Sequence, residues 1–397
     1  MQGQLTNCSP DSALSKLWQW FEVNGWNGYD PYDLKGLSIY QKLYKLQGVG
    51  GQKIRQFIDS QELHRPLLWR RLLMLPKKVN ANTVALIARS SLKFAGDKDP
   101  DYLSKAKTCL DWLKKNNSSN TGMGWGYPFR WYSGSKADLI IEPNSPLVVV
   151  TSEAAHAFLD YFEITGDTES LQNAAKCIEF FLSLPKQYLS NGLCFAYCHK
   201  GNYVINANTN ICGLMLRYNH LANTNANQEL IANALAFTLS QQRKDGGWFY
   251  WASPKKDGFS TDSQHTGMVI QWLNICHRYN PSIIEKSVIK NALEHYTKTY
   301  FTNEGRPLLY KGKEFPIDIH SPAQAMITLA PHPEYHDLLK QVMNYTLTNM
   351  RNKDGSFIYR IYENHKVTLP YTRWAQAWML WALSSINPIF KKDLCAV

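Results

Sequence analysis

The 397-residue chain lacks any run of about 18 apolar residues, so no segment is predicted to span a membrane. The first thirty residues contain no basic start followed by an apolar stretch, and no standard secretion signal is expected. The eight cysteines include no C-x-x-C pair. Cys194 and Cys198 lie four apart without a second pair, and Cys198-His199 with Cys212 has poor spacing for zinc. The cysteines therefore read as reduced thiols of a cytosolic protein, and no metal and no cofactor is expected. No Asp-Asp pair occurs, which removes the acidic motifs of terpenoid chemistry. G-x-x-x-x-G-K-[ST], a strand-linked G-x-G-x-x-G and G-x-S-x-G are also missing, so nucleotide-loop and serine-elbow chemistries are set aside. Low hydrophobicity is not among the deficits: 44% hydrophobic and 19% charged residues describe a globular chain.

What is present begins with charge. Lys and Arg number 43 against 32 Asp and Glu, a net +11. That balance fits nucleic acid, an anionic polysaccharide or an acidic membrane surface without choosing among them. The basic residues are densest from His64 to Lys78, within a 34–78 excursion between the first two helices of the pattern described next. A solvated helix face is the plain reading, and docking on phosphate or lipid is the other.

A repeat organises the rest. Helix-period segments near 10–22, 100–115, 168–184, 226–243, 283–301 and 335–351 each end in a glycine cluster, usually with an aromatic. The clusters are Asn24-Gly-Trp-Asn-Gly-Tyr29, Gly122-Met-Gly-Trp-Gly-Tyr127, Asn191-Gly-Leu-Cys-Phe195, Asp245-Gly-Gly-Trp-Phe249, Asn303-Glu-Gly-Arg-Pro307 and Asp354-Gly-Ser-Phe357. Glycine supplies the left-handed stop, and the aromatic can pack back on the helix just ended. A second set of segments starts near Asn80, Pro146, Asn206, Thr261, Asp318 and Tyr371 and is apolar nearly all round, as buried helices are. Six inner and six outer helices predict an all-α, (α/α)6 toroid over residues 1–397. The N-terminal helix pairs with the last inner one and strands are confined to short loop pieces.

Parallel inner helices bring six N-termini, with their free N–H groups, to one mouth. Capping alone accounts for Asn80, Thr151, Asn206, Asp262, Asp318 and Thr372. It does not account for His156, His265, His320 or Arg373, nor for Tyr29, Asp30, Tyr32, Asp33, Trp125, Tyr127, Arg130 and Trp131 in the adjoining loops. Aromatics among Asn, Asp, Arg and His suit sugars, whose C–H faces stack on rings while polar groups match hydroxyls. Asn82, Asn206, Asn208, Gln324 and Trp374 complete the expected lining. Asp262 and His265 are one helical turn apart, and Asp318-Ile-His320 opens the next inner helix. Two acid/base pairs across a cleft could abstract a proton beside a carbonyl or cleave a glycosidic bond. Arg373 could clamp a carboxylate and Tyr371 could transfer a proton. Glu153 with His156 ranks second.

Taken together, these stretches resemble bacterial exopolysaccharide biosynthesis proteins of the VpsJ type. The matching residues are Tyr29-Asp-Pro-Tyr-Asp33, Gly124-Trp-Gly-Tyr-Pro-Phe-Arg-Trp131, Asn206-Ala-Asn208, Asp262-Ser-Gln-His-Thr-Gly267, Phe315-Pro-Ile-Asp-Ile-His-Ser321 and Pro370-Tyr-Thr-Arg-Trp-Ala-Gln-Ala-Trp378. They run in order over nearly the whole chain. The resemblance implies a six-hairpin toroid associated with capsule or biofilm polysaccharide, similar more distantly to uronate and acylglucosamine epimerases and unsaturated-uronyl hydrolases. Gln241-Gln242 before Gly246-Gly-Trp248 is similar to the glutamine–tryptophan repeat of terpenoid cyclases.

The expectation is a cytoplasmic carbohydrate-active enzyme, peripheral at most to the inner membrane. It would use epimerase, lyase or glycoside-hydrolase chemistry on an anionic polysaccharide, a lipid-linked oligosaccharide or an activated sugar precursor. Other polysaccharide-biosynthesis proteins are candidate partners, and nucleic acid is not. His265 and His320 would move protons, Asp262 and Asp318 would orient them, and Arg373 would hold a carboxylate. A glycan-binding scaffold is the alternative, and a terpenoid or prenyl-processing enzyme the second.

Overall fold

A computed structural model describes residues 9–44, 46, 48–94, 99–133, 139–252 and 261–394. The outer helices are α1 (Pro10–Asn24), α6 (Pro100–Lys115), α8 (Thr168–Ser183), α10 (Gln228–Ser240), α12 (Lys286–Thr299) and α14 (His336–Asn349). The inner helices are α5 (Ala81–Phe94), α7 (Val148–Thr165), α9 (Ile205–Leu221), α11 (Ser263–Tyr279), α13 (His320–Leu329) and α15 (Trp378–Leu394), the last entered through a π-helical turn, Thr372–Ala377. Each inner helix packs on the next, α15 returns to α5, and α1 packs on α15. The chain is thus the (α/α)6 toroid that its periodicity predicts. Three further helices, α2 (Ser38–Tyr44), α3 (Gly48–His64) and α4 (Pro66–Leu72), occupy the basic excursion.

Local chemistry sets the helix ends. Ser9, Asp99 and Asp167 cap α1, α6 and α8 through their side-chain oxygens, with proline opening the first two. The six cluster glycines, Gly25, Gly122, Gly192, Gly246, Gly305 and Gly355, all have positive φ. Five of them also wedge against the next outer helix. A Cβ on Gly122 would lie 2.1 Å from the Lys176 carbonyl of α8, and one on Gly355 would lie 2.9 Å from Cβ of Lys16 in α1. The last cluster therefore presses on the first helix, and the ring closes through the same contact that builds it.

The aromatics fold back as the pattern requires. The Trp125 indole donates to the Leu113 carbonyl of α6 at 3.0 Å, and Trp248 does the same to Thr238 of α10 at 2.8 Å. Each adds a second donor to a last-turn carbonyl that also takes the helix-cap N–H, of Asn116 and Gln241 respectively.

Strands are short. β1 (Asn27–Gly28) pairs antiparallel with β2 (Lys78–Val79), closing off the excursion, and β3 (Trp131–Ser133) pairs antiparallel with β4 (Leu139–Ile141). β5 (Lys186–Leu189), β6 (Gly192–Cys198) and β7 (Gly201–Tyr203) make one meander. β8 (Ile317–Asp318), β9 (Arg360–Tyr362) and β10 (His365–Val367) make a sheet with β9 central, in register Asp318–Arg360 and Tyr362–His365. All of these lie in loops, as expected of a helical toroid.

Six cysteines of the described residues are buried free thiols. No described helix is long and apolar enough to cross a membrane.

Candidate active site

The starts of α11 and α13 lie side by side. Ser263 Oγ and Ser321 Oγ are 2.9 Å apart, and the Gln264 amide nitrogen is 3.5 Å from His320 Nε2. Asp262 caps α11 by accepting the His265 N–H at 2.8 Å, and the same carboxylate holds His265 Nδ1 at 2.8 and 2.9 Å. This dyad is half-buried, and the His265 ring stands edge-on to Tyr250 at 4.7 Å. Burial alone would raise the Asp262 carboxyl, but the His265 ring and its N–H groups outweigh it and hold the carboxyl below the usual range.

His320 is buried against Trp374 and Trp378, with ring centroids 4.8 and 4.7 Å away. Burial, then the Arg373 and His265 charges, keep its pKa well below that of a free imidazole. Its Nδ1 has no partner among the described residues.

The other expected acid/base residues have different employment. Asp318 accepts the His320 N–H at 2.9 Å and the Trp374 indole N–H at 2.8 Å, and the Arg360 guanidinium closes on its other oxygen. Arg373, expected to clamp a substrate carboxylate, instead holds Asp30 with Nε at 2.5 Å and Nη2 at 2.9 Å. Tyr371, expected to transfer a proton, is buried between Arg70 at 5.0 Å and Tyr359 at 4.9 Å, and burial raises its hydroxyl far above working pH. Asp33 binds Arg70 at 2.7 Å, and Arg70 also donates to the Asp30 carbonyl at 2.9 Å. Arg70 therefore departs from the solvated basic face, being fully buried where α4 joins the mouth.

An aromatic wall surrounds the histidines. Arg373 lies over Tyr127 at 4.6 Å and beside Trp374 at 5.0 Å. Tyr32 meets Trp374 edge-on at 5.3 Å, and Trp131 meets Tyr127 edge-on at 5.6 Å. Two cavities flank the wall. One of about 240 Å³ is lined by Tyr29, Asp30, Asn80, Phe129 and Arg373 among others. Another, of about 350 Å³, runs from Tyr32 and Arg360 past Glu62, Tyr359 and Tyr362. Below the mouth, buried Asn82 Oδ1, Ser152 Oγ, Asn206 Oδ1, Asn210 Oδ1 and Gln324 Oε1 have no partner among the described residues. Gln324 does donate to Gln271 at 2.8 Å, and the Asn206 amide reaches Met268 Sδ at 3.9 Å. Buried polar atoms without partners are rare in proteins and fit a site for polar groups.

Several expected lining residues build the frame instead. Trp125 is buried and caps α6. Thr151 lies inside α7 and is no helix cap; its Oγ accepts the Trp125 N–H at 3.1 Å. Asn208 accepts the Phe195 N–H at 3.0 Å and donates to the Ala234 carbonyl at 2.8 Å, facing the outer ring. Gln376 does the same for Phe357, at 2.8 and 2.9 Å. Glu153 and His156 do not pair with each other. Glu153 binds Arg89 at 2.5 Å, while His156 takes a hydrogen bond from Arg217 at 2.9 Å and stacks on Trp272 at 5.0 Å.

The pattern of inner-helix starts missed Arg360 and Tyr250. Both follow a cluster aromatic by one to three residues, as Tyr127 and Arg130 do, and that offset was the available signal.

No known family profile and no curated protein matches the chain. Solved structures do. A cellobiose 2-epimerase from Bacillus thermoamylovorans B4167 superposes with a TM-score of 0.60 at 11% identity, over 78% of this chain and 88% of that one. A D-mannose isomerase gives 0.58 at 11%, over 79% and 87%. A family 88 glycosyl hydrolase from Bacteroides vulgatus gives 0.52 at 14%, over 77% and 91%. At these identities the likeness is one of fold, and it is the toroid.

Proposed function

We propose that the protein is a carbohydrate-active enzyme that moves a proton at a carbon beside a sugar carbonyl, an epimerase or isomerase. The observation that carries this reading is the adjacent placement of an exposed-edge histidine held by a carboxylate and a buried neutral histidine. Their environments push the two apart in role. Neutral His320 is the acceptor. His265, oriented by the Asp262 carboxylate 2.8 Å from its Nδ1, is the donor that returns the proton from the other face.

The same geometry weighs against the sister chemistries. Two-carboxylate glycoside hydrolysis needs a free acid and a free base, whereas Asp30 and Asp318 are bound to Arg373 and Arg360. A lyase or uronate epimerase needs a cation for the substrate carboxylate, and both of these arginines are already neutralised. The reading therefore shifts from an anionic glycan to a neutral one, whose hydroxyls suit the uncharged Asn82, Asn206 and Gln324 oxygens. Epimerases and an isomerase among the fold relatives support the choice. The resemblance of the sequence stretches to exopolysaccharide proteins supports a role in the making of an extracellular polysaccharide.

The test is incubation with neutral reducing oligosaccharides in deuterated water. Deuterium at the carbon beside the carbonyl, without chain cleavage, is the expected result. Tight binding without exchange would favour a glycan-binding scaffold, and a new double bond would make the protein a lyase.

A further inference from the structure

The excursion between β1 and β2 has two unlike sides. Its inner side is polar and engaged: Asp59 accepts the Tyr40 hydroxyl at 2.8 Å, Glu62 lies 3.6 Å from buried Arg70, and the Leu63 carbonyl meets His365 Nε2 at 2.9 Å. Its outer side is apolar and uncovered. Twelve large apolar side chains stand exposed among the described residues, and nine of them fall between Ile39 and Met74. On α3, Val49 and Phe57 are 72% and 61% exposed, with Ile54 beside them. On and after α4, Leu68, Leu72, Leu73 and Met74 follow, Met74 at 87%.

The exposed charges of this segment have one sign. Lys42, Lys53, Arg65, Arg71, Lys77 and Lys78 are exposed, whereas its acidic residues Asp59 and Glu62 are at least half-buried and turned inward. On α3, Val49, Lys53 and Phe57 are spaced i, i+4, i+8 and share one face. Apolar side chains interleaved with cations, and no exposed acid, are what an interfacial helix presents to anionic headgroups.

We propose that the outer face of α2–α4 docks on an anionic lipid bilayer. The inner face of the same segment walls both mouth cavities, through Gly36, Leu37 and Leu75 in one and Asp59, Ser60 and Glu62 in the other. Docking sets the entrance of the toroid against the membrane surface, where a membrane-borne glycan would meet it. This inference stands on the surface alone and does not depend on the histidine chemistry.

The full chain is tested by co-sedimentation with vesicles of phosphatidylcholine alone and of equal parts phosphatidylcholine and phosphatidylglycerol. Binding to the anionic vesicles is expected to exceed binding to the neutral ones at least about tenfold and to weaken with salt. The Phe57→Asp, Leu72→Asp double variant is expected to lose at least about tenfold in vesicle binding. Lys53→Glu with Arg71→Glu is expected to abolish the preference for anionic vesicles. Because all four side chains are exposed, unchanged circular dichroism and melting verify folding. Absence of binding to either vesicle, or native-like binding by the apolar variant, would overturn the proposal. If sedimentation instead shows a dimer that the apolar variant dissolves, the face belongs to a second copy and the membrane proposal falls.

Discussion

Two arcs of the inner ring are built from the same residue types to opposite ends. Where α5, α7 and α9 meet, His156 sits among Arg89, Glu153, Asp160 and Arg217, each charge answered by another. Arg89 holds both Glu153 at 2.5 Å and Asp160 at 2.8 Å, and Arg217 holds Asp160 at 2.6 Å together with Glu163. Where α11 and α13 meet, His265 has one carboxylate and one nitrogen without a partner among the described residues. Each of the two histidines keeps one nitrogen without a partner among the described residues. That of His156 is sealed in the core, while His265 stands part-exposed at the mouth, where it can react. Residue type and partner count do not distinguish the arcs, but exposure does.

The sharpest way to break this contrast is to delete each histidine side. His265→Ala keeps the backbone N–H that Asp262 caps, so the fold should stand while solvent-proton exchange falls about a thousandfold. Loss of less than about tenfold would return His265 to the scaffold. In the other arc, Glu153→Ala takes one of two carboxylates from the buried Arg89 guanidinium and leaves Asp160 as its partner. It should cost about 2 kcal/mol in urea unfolding, with the turnover of the remaining folded protein near native.

The frame was readable from the sequence because it depends on local chemistry. Gly122 and Gly355 mark their stops at positive φ, and the Trp125 and Trp248 indoles close helices within about a dozen residues of themselves in sequence. The site was readable only as a neighbourhood. Whether Arg373 is a substrate clamp or the partner of Asp30 is decided by a contact 343 residues away in sequence, and the fate of Glu153 by Arg89, 64 residues away. Spacing along a helix predicts which side chains share a face. It does not predict which cation on the neighbouring helix reaches them first. The same holds for Asn208, which reads as lining until one sees Thr151, Asn208 and Gln376 each accepting the backbone N–H of a cluster aromatic, Trp125, Phe195 and Phe357.

That repeated tie gives a smaller test. Asn208→Ala leaves the Phe195 N–H buried without its partner and should cost about 2 kcal/mol of stability. Sugar affinity should be unchanged. A fall in affinity at native stability would restore Asn208 to the lining.

The smallest effect separates the arcs by pH. His156 and His320 are both held neutral, first by burial and then by facing cations: Arg89 and Arg217 for His156, against a weaker opposing pull from Asp160, and Arg373 for His320. Below about pH 6.5 the unfolded chain takes up protons on these rings that the folded chain refuses. Stability therefore falls as pH falls, by at most about 1.4 kcal/mol per pH unit for each histidine, until the lower folded-state value is reached. Asp262, whose carboxyl lies below the usual range, adds its own loss only when pH drops beneath about 4. His295 and His332, also depressed first by burial, add to the histidine loss, and the Asp33, Glu62 and Glu153 carboxyls, raised first by burial, oppose it. His156→Gln should remove its own share of the loss and leave catalysis in place, while His320→Gln removes another share together with activity. Urea midpoints at about pH 7 and about pH 5 measure both, and an unaltered slope in His156→Gln would mean that the ring in the scaffold arc is charged.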